Sequence, residues 1–406
     1  MQTMELLSPA GNREKLDMAL AYGTDAVYLA GGAFGMRAQA GNFSDEELAL
    51  AFEKIHKMGK KGYVTVNVLP KNEDLHGLPA FLSLLEDLRA DGMILSDLGV
   101  LALAKQYAPN VPIHISTQAS VRNVEAAKQW VTLGASRIVL ARELSLGEIA
   151  QIRAGLPSEV ELEAFVHGAM CVSFSGRCLL SNFMTGNRDA NRGECTQPCR
   201  WQYALVEEKR PGQYFPVEET KEGTYILNAK DLCMIEHLPA LKEAGVSSCK
   251  IEGRMKSSYY TAVTTNAYRM ALDQMAKDPE WTCPAELRAE LETVSHRPYC
   301  TGFYFGDVKN NESHAEGGYI RTCDVVAVVT GPPKNGLYPA VLKNKCRVGE
   351  ELSLLCPGLL PKNFTLSALF TENGETTEEI KTPRSSFWLP LPGGPPVNAI
   401  IRREIS

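Results

Sequence analysis

The chain has 406 residues, 44% of them hydrophobic and 22% charged, and carries a formal net charge of -6. That balance excludes a disordered or fibrous polymer, and no run approaches the roughly 18 consecutive apolar residues that a membrane span needs. The negative charge also argues against indiscriminate nucleic-acid binding, which sets lysine and arginine against phosphate; a local basic face is still allowed.

A single core stops growing at roughly 250–300 residues, so two domains are expected. The start, MQTMELLSPAGN, lacks the basic opening and apolar core of a signal peptide. A cytoplasmic chain is therefore expected, and structural disulfides are not.

One pattern recurs along the chain: a helix-like segment, a glycine, a short β-branched run and then a polar residue. It appears in ALAYGTDAVYLAG, LEDLRADGMILSD, WVTLGASRIVLARE and LKEAGVSSCKIEGR. Gly23, Gly92, Gly134 and Gly245 stand where a helix C-cap calls for a left-handed residue, which glycine adopts cheaply. With the other short apolar runs, this predicts strands at 5–8, 26–29, 62–68, 93–96, 113–116, 137–140, 161–165 and 248–251. Capping boxes Ser44/Glu47 and Ser145/Glu148 open two of the intervening helices. Eight strands alternating with helices predict an α/β fold, a (β/α)8 TIM-like barrel, with a doubly wound open sheet as the alternative.

The seventh unit is interrupted by an insertion at about 166–230, which leaves from the C-terminal end of a barrel strand, the face where such barrels act. Within it, segments 203–207 and 224–228 predict a hairpin. Helical patterns at 255–277 and 285–295 follow strand eight. From Tyr319 the period becomes two, with NG turns at 335–336 and 373–374. The predicted division is a barrel domain at 1–318 and a small all-β barrel domain at 319–406.

Cys171, Cys178, Cys195 and Cys199 lie in the insertion with spacing C-x6-C-x16-C-x3-C. Thiolates bind zinc or iron–sulfur clusters. Neither pair has the C-x2-C spacing of a zinc knuckle, and small residues between them allow close backbone approach. Spacing alone therefore favours a 4Fe-4S cluster over zinc, and leaves unligated thiols as a third reading.

The stretch EAFVHGAMCVSFSGRCLLS at 163–181 resembles the signature of the collagenase-like (U32-type) peptidase family. ELLSPAGN, GTDAVYLAG, GKKGYVTVN, ARELSLGEI and CKIEGRMKSSYY follow in that family's order, so the resemblance covers the whole chain. It is strongest to a branch associated with prephenate-dependent formation of 5-hydroxyuridine at the tRNA wobble position; a sister branch hydroxylates a cytidine of large-subunit ribosomal RNA. The resemblance implies a barrel, a cluster held by the four cysteines, prephenate as cosubstrate, tRNA as partner and a possible paralogous subunit, with no membrane role. The insertion is shorter around 207–222 than in some members of that family.

Lys250, Glu252 and Arg254 lie at the end of strand eight, where barrels commonly bind phosphate or carboxylate. Lys250 and Glu252 share a face if the strand continues, and a dicarboxylate such as prephenate calls for such cations. The alternative is a salt-bridged pair closing the barrel end. His167 is a proton-relay candidate or a hydrogen-bonded structural histidine, and Arg177 is a candidate for substrate carboxylate or phosphate.

Asn67, Ser116, Gln118 and Arg142 fall at or just past strand ends, pointing into the mouth or capping helices. Asn228 and Lys230 join them near the insertion's return, where Asp231 is a helix N-cap candidate. Arg188, Arg192, Arg200 and Trp201, with the lysines at 54–61, are candidate RNA contacts. A peptidase lacks support from the motifs: the chain has neither H-E-x-x-H nor G-x-S-x-G. A noncatalytic RNA-binding module ordered by zinc is the third function class.

Overall fold

The computed structural model describes residues 3–35, 42–170, 178–185, 188, 190, 193–201, 204–206, 214–216, 230–306 and 319–405. Eight parallel strands close on themselves. They are β1 (Glu5–Pro9), β2 (Ala26–Leu29), β3 (Lys61–Val66), β4 (Gly92–Leu95), β5 (Ile113–Ile115), β6 (Ala135–Val139), β7 (Glu161–Ala169) and β8 (Ser248–Ile251). Each pairs with the next, and β8 pairs with both β7 and β1, which completes the barrel. The doubly wound alternative is thereby set aside. The strands are largely buried because helices cover the outside and side chains fill the inside.

Both capping boxes form. Ser44 accepts from the Glu47 N–H and Ser145 from the Glu148 N–H, with each glutamate returning to its cap residue's N–H. Gly23, Gly134 and Gly245 adopt left-handed φ values of 94°, 95° and 91°. Gly92 does not. The helix Leu78–Asp87 is instead stopped by Arg89 at φ 52°, and Gly92 begins β4. The reason for glycine there is room: a Cβ would sit 2.6 Å from the His114 ring, inside the barrel.

A Cβ on Gly245 would meet Arg153 Cγ at 2.3 Å, and the Arg153 guanidinium donates to the Leu156 and Val160 carbonyls. Gly134 faces only the end of Lys105, at 3.3 Å. Gly134→Ala should therefore cost the left-handed strain alone, about 1–2 kcal/mol, and Gly245→Ala clearly more. Urea unfolding of the two variants checks this, and equal losses would show that the Arg153 contact carries no weight.

Strand β7 runs four residues past the expected 161–165. Beyond its parallel neighbours it pairs antiparallel with a short strand, Asp231–Cys233, in the register Cys233↔His167 and Asp231↔Ala169. Gly168, at φ 108°, gives that extension the look of a loop in the sequence. In the insertion, Ala204–Val206 pairs with Tyr214–Pro216; 224–228, the partner expected for 203–207, lies outside the described residues.

The chain clusters into two compact units. The first comprises Met1–Leu16, Asp25–Lys256 and His296–Tyr319; the second comprises Asp17–Thr24, Ser257–Ser295 and Ile320–Ser406. The second thus includes the helices Ser258–Lys277 and Ala285–Leu291 along with the C-terminal strands. Those strands form an eight-stranded antiparallel sheet curled into a half-barrel over Val326, Leu342, Leu352, Phe387, Leu389 and Ile401. Asn335 and Gly336, at φ 53° and 80°, make the two-residue hairpin turn that the NG pair predicts. Inside this unit Arg402 is buried against Glu290 at 2.5 Å and accompanied by the Tyr259 hydroxyl at 2.8 Å.

Candidate functional site

The barrel interior carries a ladder of charge. Arg137, on β6 and 1% exposed, donates to Glu5 at 2.7 Å, to Glu163 at 3.0 Å and, through Nε, to Glu161 at 2.8 Å. The other Glu163 oxygen receives the Lys250 ammonium at 2.7 Å, so one fully buried carboxylate bridges two cations. Tyr63 donates to Glu5 at 2.6 Å, and Ser248 donates to it at 2.9 Å. Burial pushes the Glu5 carboxyl up, but the Arg137 charge and the bonds from Arg137, Tyr63 and Ser248 outweigh it and hold the pKa below 4.5. Burial works against the charged form of Arg137 too; Glu163 and Glu5 reverse that and raise its pKa.

His114 packs edge-on to Tyr63, with ring centroids 4.7 Å apart. Burial, then the charges of Arg137, Lys250 and Lys61, hold its pKa well below 6.5, so the folded protein keeps the imidazole neutral. The unfolded chain takes up a proton below about pH 6.5 and the folded one does not. Stability is therefore full above that pH and falls below it, by up to ~1.4 kcal/mol per pH unit. Melting temperatures from pH 7 to 5 should decline for the wild type and stay flatter for His114→Leu. An identical decline in both would place the acid sensitivity elsewhere.

Lys250 marks the top of this ladder. Its ammonium lies 4.6 Å from the Tyr28 ring centroid and 5.5 Å from that of Phe165. Lys250 does not form the salt-bridged pair with Glu252 that the sequence allows as the alternative, nor do the two share a face. The β8 register shifts between Lys250 and Ile251 and the strand ends there, so the side-chain alternation stops. Glu252 instead gives its N–H to the His167 carbonyl at 2.8 Å, and its carboxylate lies 3.6 Å from Arg142. Arg142 stacks on Phe165 at 3.8 Å and donates to the Ala169 carbonyl at 2.8 Å, tying the end of β6 to the β7 extension.

His167 is 1% exposed on that extension, with Nε2 3.4 Å from the Tyr299 hydroxyl. Tyr299 in turn stacks on His296 at 4.3 Å. Across the mouth, the Asn67 amide lies 3.4 Å from Ser116 Oγ, and Ser116 donates to Gln118 at the same distance. Ser116 also caps the short turn Thr117–Ala119. Arg254 is buried and donates to Thr65 and Asn42. Asp231 caps no helix: it lies in a strand and binds the Arg297 guanidinium at 2.6 and 2.9 Å. Lys230 is half-buried just before it.

The mouth thus gathers Lys250, Arg142, Glu252 and His167 around β7 and β8, and Asn67, Ser116 and Gln118 over β3 and β5. Arg177 and Asn228 lie outside the described residues. Glu163, Arg137, Tyr28, Thr65 and Asn42 were not anticipated as site residues. The usable signal was a charge inside each of several otherwise apolar short strands, in ELLSP, ASRIV, ELEAFVHGA and SCKI, where opposite signs must neutralise one another.

Of the four insertion cysteines, Cys171 lies outside the described residues. Cys178, Cys195 and Cys199 are half-buried and stand as thiols rather than disulfides. The Gln197 N–H donates to Cys195 Sγ at 3.4 Å. The donor chemistry suits a thiolate-bound cluster or zinc. Among the described residues, no three His, Cys, Asp or Glu side chains are grouped as a metal site.

Among the described residues, no helix is long and apolar enough to cross a membrane. The chain is 36% identical to "tRNA hydroxylation protein P" of Escherichia coli strain K12, over 99% of this chain and 97% of that protein. It is 43% identical to a protein of the same name from Helicobacter pylori strain 26695, over 92% of this chain and 88% of the relative. It is 38% identical to "23S rRNA 5-hydroxycytidine C2501 synthase" of Escherichia coli strain K12, over 68% of this chain but 40% of that protein. The model of peptidase family U32 matches residues 11–314, and that of the family's C-terminal domain matches residues 321–402. On this correspondence, spanning barrel and half-barrel alike, the chain belongs to peptidase family U32.

Proposed function

We propose that this protein hydroxylates tRNA, converting wobble uridine to 5-hydroxyuridine, with prephenate as cosubstrate and a 4Fe-4S cluster held by Cys171, Cys178, Cys195 and Cys199. The carrying observation is the match to proteins named for tRNA hydroxylation across nearly the full length of both chains. When bound, such a cluster supplies one-electron chemistry at a potential set by its surroundings.

The chain's own residues have roles on this reading. Arg142, braced against Phe165, and Lys250, held upright by Glu163, offer two cations at the mouth for a dicarboxylate. His167 is positioned by Tyr299 beside them and suits proton transfer. Asn67, Ser116 and Gln118 offer hydrogen bonds to a base edge. Exposed Arg188 and Trp201 suit a phosphate and a splayed base at the insertion. Such a protein works in the cytoplasm, where tRNA is, and a paralogous subunit is a further expected partner.

Ribosomal RNA is the second reading, because the chain is also related to a 23S rRNA synthase. Mass spectrometry of nucleosides from tRNA and ribosomal RNA, in strains with and without this gene, separates the two. Loss of the tRNA hydroxyl supports the proposal; loss confined to ribosomal RNA transfers the protein to the other substrate.

A further inference from the structure

The seam between β1 and β8 ends on a proline. Its register, Glu5↔Ser248, Leu6↔Cys249 and Leu7↔Lys250, is parallel, and the Glu5 N–H donates to the Ser247 carbonyl at 2.9 Å. Along a parallel seam the donors of one strand recur at every second residue. The donor due opposite the Ile251 carbonyl is therefore that of residue 9, the last of β1, and residue 9 is a proline with no N–H.

Tyr28 supplies the missing donor. It stands beside Pro9 on β2, in the register Pro9↔Tyr28, and its hydroxyl reaches past β1 to the Ile251 carbonyl at 2.9 Å. The buried carbonyl thus keeps a hydrogen bond, from a side chain in place of the ladder. On its other side β8 breaks at the same point. Its register against β7 shifts between Lys250 and Ile251, and the Glu252 N–H goes to the His167 carbonyl at 2.8 Å. The Tyr28 ring also lies 4.6 Å from the Lys250 ammonium, which Glu163 holds at 2.7 Å. One side chain therefore touches both the end of β8 and the lysine that β8 carries. The break leaves Lys250 with Glu163 and turns Glu252 toward Arg142, 3.6 Å away.

We propose that Pro9 and Tyr28 together form a built-in break in the β1–β8 seam, and that Tyr28 is a positioning residue for the barrel mouth. Its hydroxyl fixes where β8 stops, and its ring seats the Lys250 ammonium. The ligand it serves is the small-molecule carboxylate assigned above to that mouth, and the inference rests on that reading for its ligand alone. A tyrosine needed only for packing would give way to phenylalanine with no consequence for the site.

Two measurements on the full-length protein test this. Prephenate, titrated against the melting temperature, should stabilise the wild type saturably. Tyr28→Phe, which keeps the ring, should raise the midpoint of that response about fivefold, the worth of one buried hydrogen bond; Tyr28→Leu, which removes the ring as well, should raise it further. Urea unfolding without ligand supplies the second measurement. Pro9→Ala returns the backbone donor, so Tyr28→Phe should cost less stability in that background than in the wild type. An unchanged midpoint in Tyr28→Phe, a wild type that does not respond to prephenate, or an equal cost of Tyr28→Phe in the two backgrounds overturns the proposal. Nucleosides from the deletion strain judge tRNA hydroxylation separately, so either reading can fail without the other.

Discussion

Replacing Arg137 with methionine should destabilise the protein by about 3–5 kcal/mol, the loss expected when one partner of a buried ionic cluster is removed. Methionine fills similar volume, so the loss reports charge rather than a cavity. Lys250 still neutralises Glu163 in the variant, but Glu5, 2.7 Å from the missing guanidinium, keeps the hydroxyl donors of Tyr63 and Ser248 and, among the described residues, only the exposed Lys61 ammonium, at 4.0 Å, as a cation.

The deficit has a pH dependence of fixed sign. In the wild type the Glu5 pKa is held below 4.5, so its contribution is present above that pH and fades as the carboxyl is protonated. In the variant, burial acts on Glu5 without its close, buried cation, and protonation brings relief. The gap between the two proteins should therefore be widest near neutral pH and narrow toward pH 4. Adding Glu5→Gln to Arg137→Met should recover part of the loss through their coupling. Urea unfolding measures all three, and a deficit under about 1 kcal/mol at pH 7 would show that water screens the ladder as it does a surface pair.

Substituting Cys195 with serine should remove the metal. Protein purified without oxygen should carry about four irons per chain with matching sulfide; Cys195→Ser should carry far less and leave tRNA unhydroxylated. Cys356→Ser, a half-buried thiol in the second unit, is the control that should keep full iron. Stoichiometric zinc without iron in the wild type would overturn the cluster assignment and favour a structural role for the insertion.

The eight strands were legible because local chemistry marks them: a capping box or an apolar face before each helix, a left-handed glycine after several, then a β-branched run. What escaped the sequence was long-range. Arg137 and Glu5 are 132 positions apart, and only barrel closure brings them together. Gly92 carries the same local mark as Gly134 yet exists to make room for His114, a neighbour supplied by the next strand, across the intervening helix. Strict alternation puts Lys250 and Glu252 on one face; the register shift of β8 against β7 and the end of the strand leave them with Glu163 and Arg142 instead. The cysteine spacing and the rim positions of Arg142, His167, Asn67 and Ser116 could be read directly. Their partners across the mouth could not.

The central claim, tRNA hydroxylation that depends on the insertion cysteines, is tested most directly by wobble-position 5-hydroxyuridine in a strain lacking this gene. Liquid chromatography and mass spectrometry of its purified tRNA should find the nucleoside missing, restored by the wild-type gene and not by the Cys195→Ser gene expressed to the same level. Undiminished 5-hydroxyuridine in the deletion strain, with no second pathway present, or full restoration by Cys195→Ser, would contradict it.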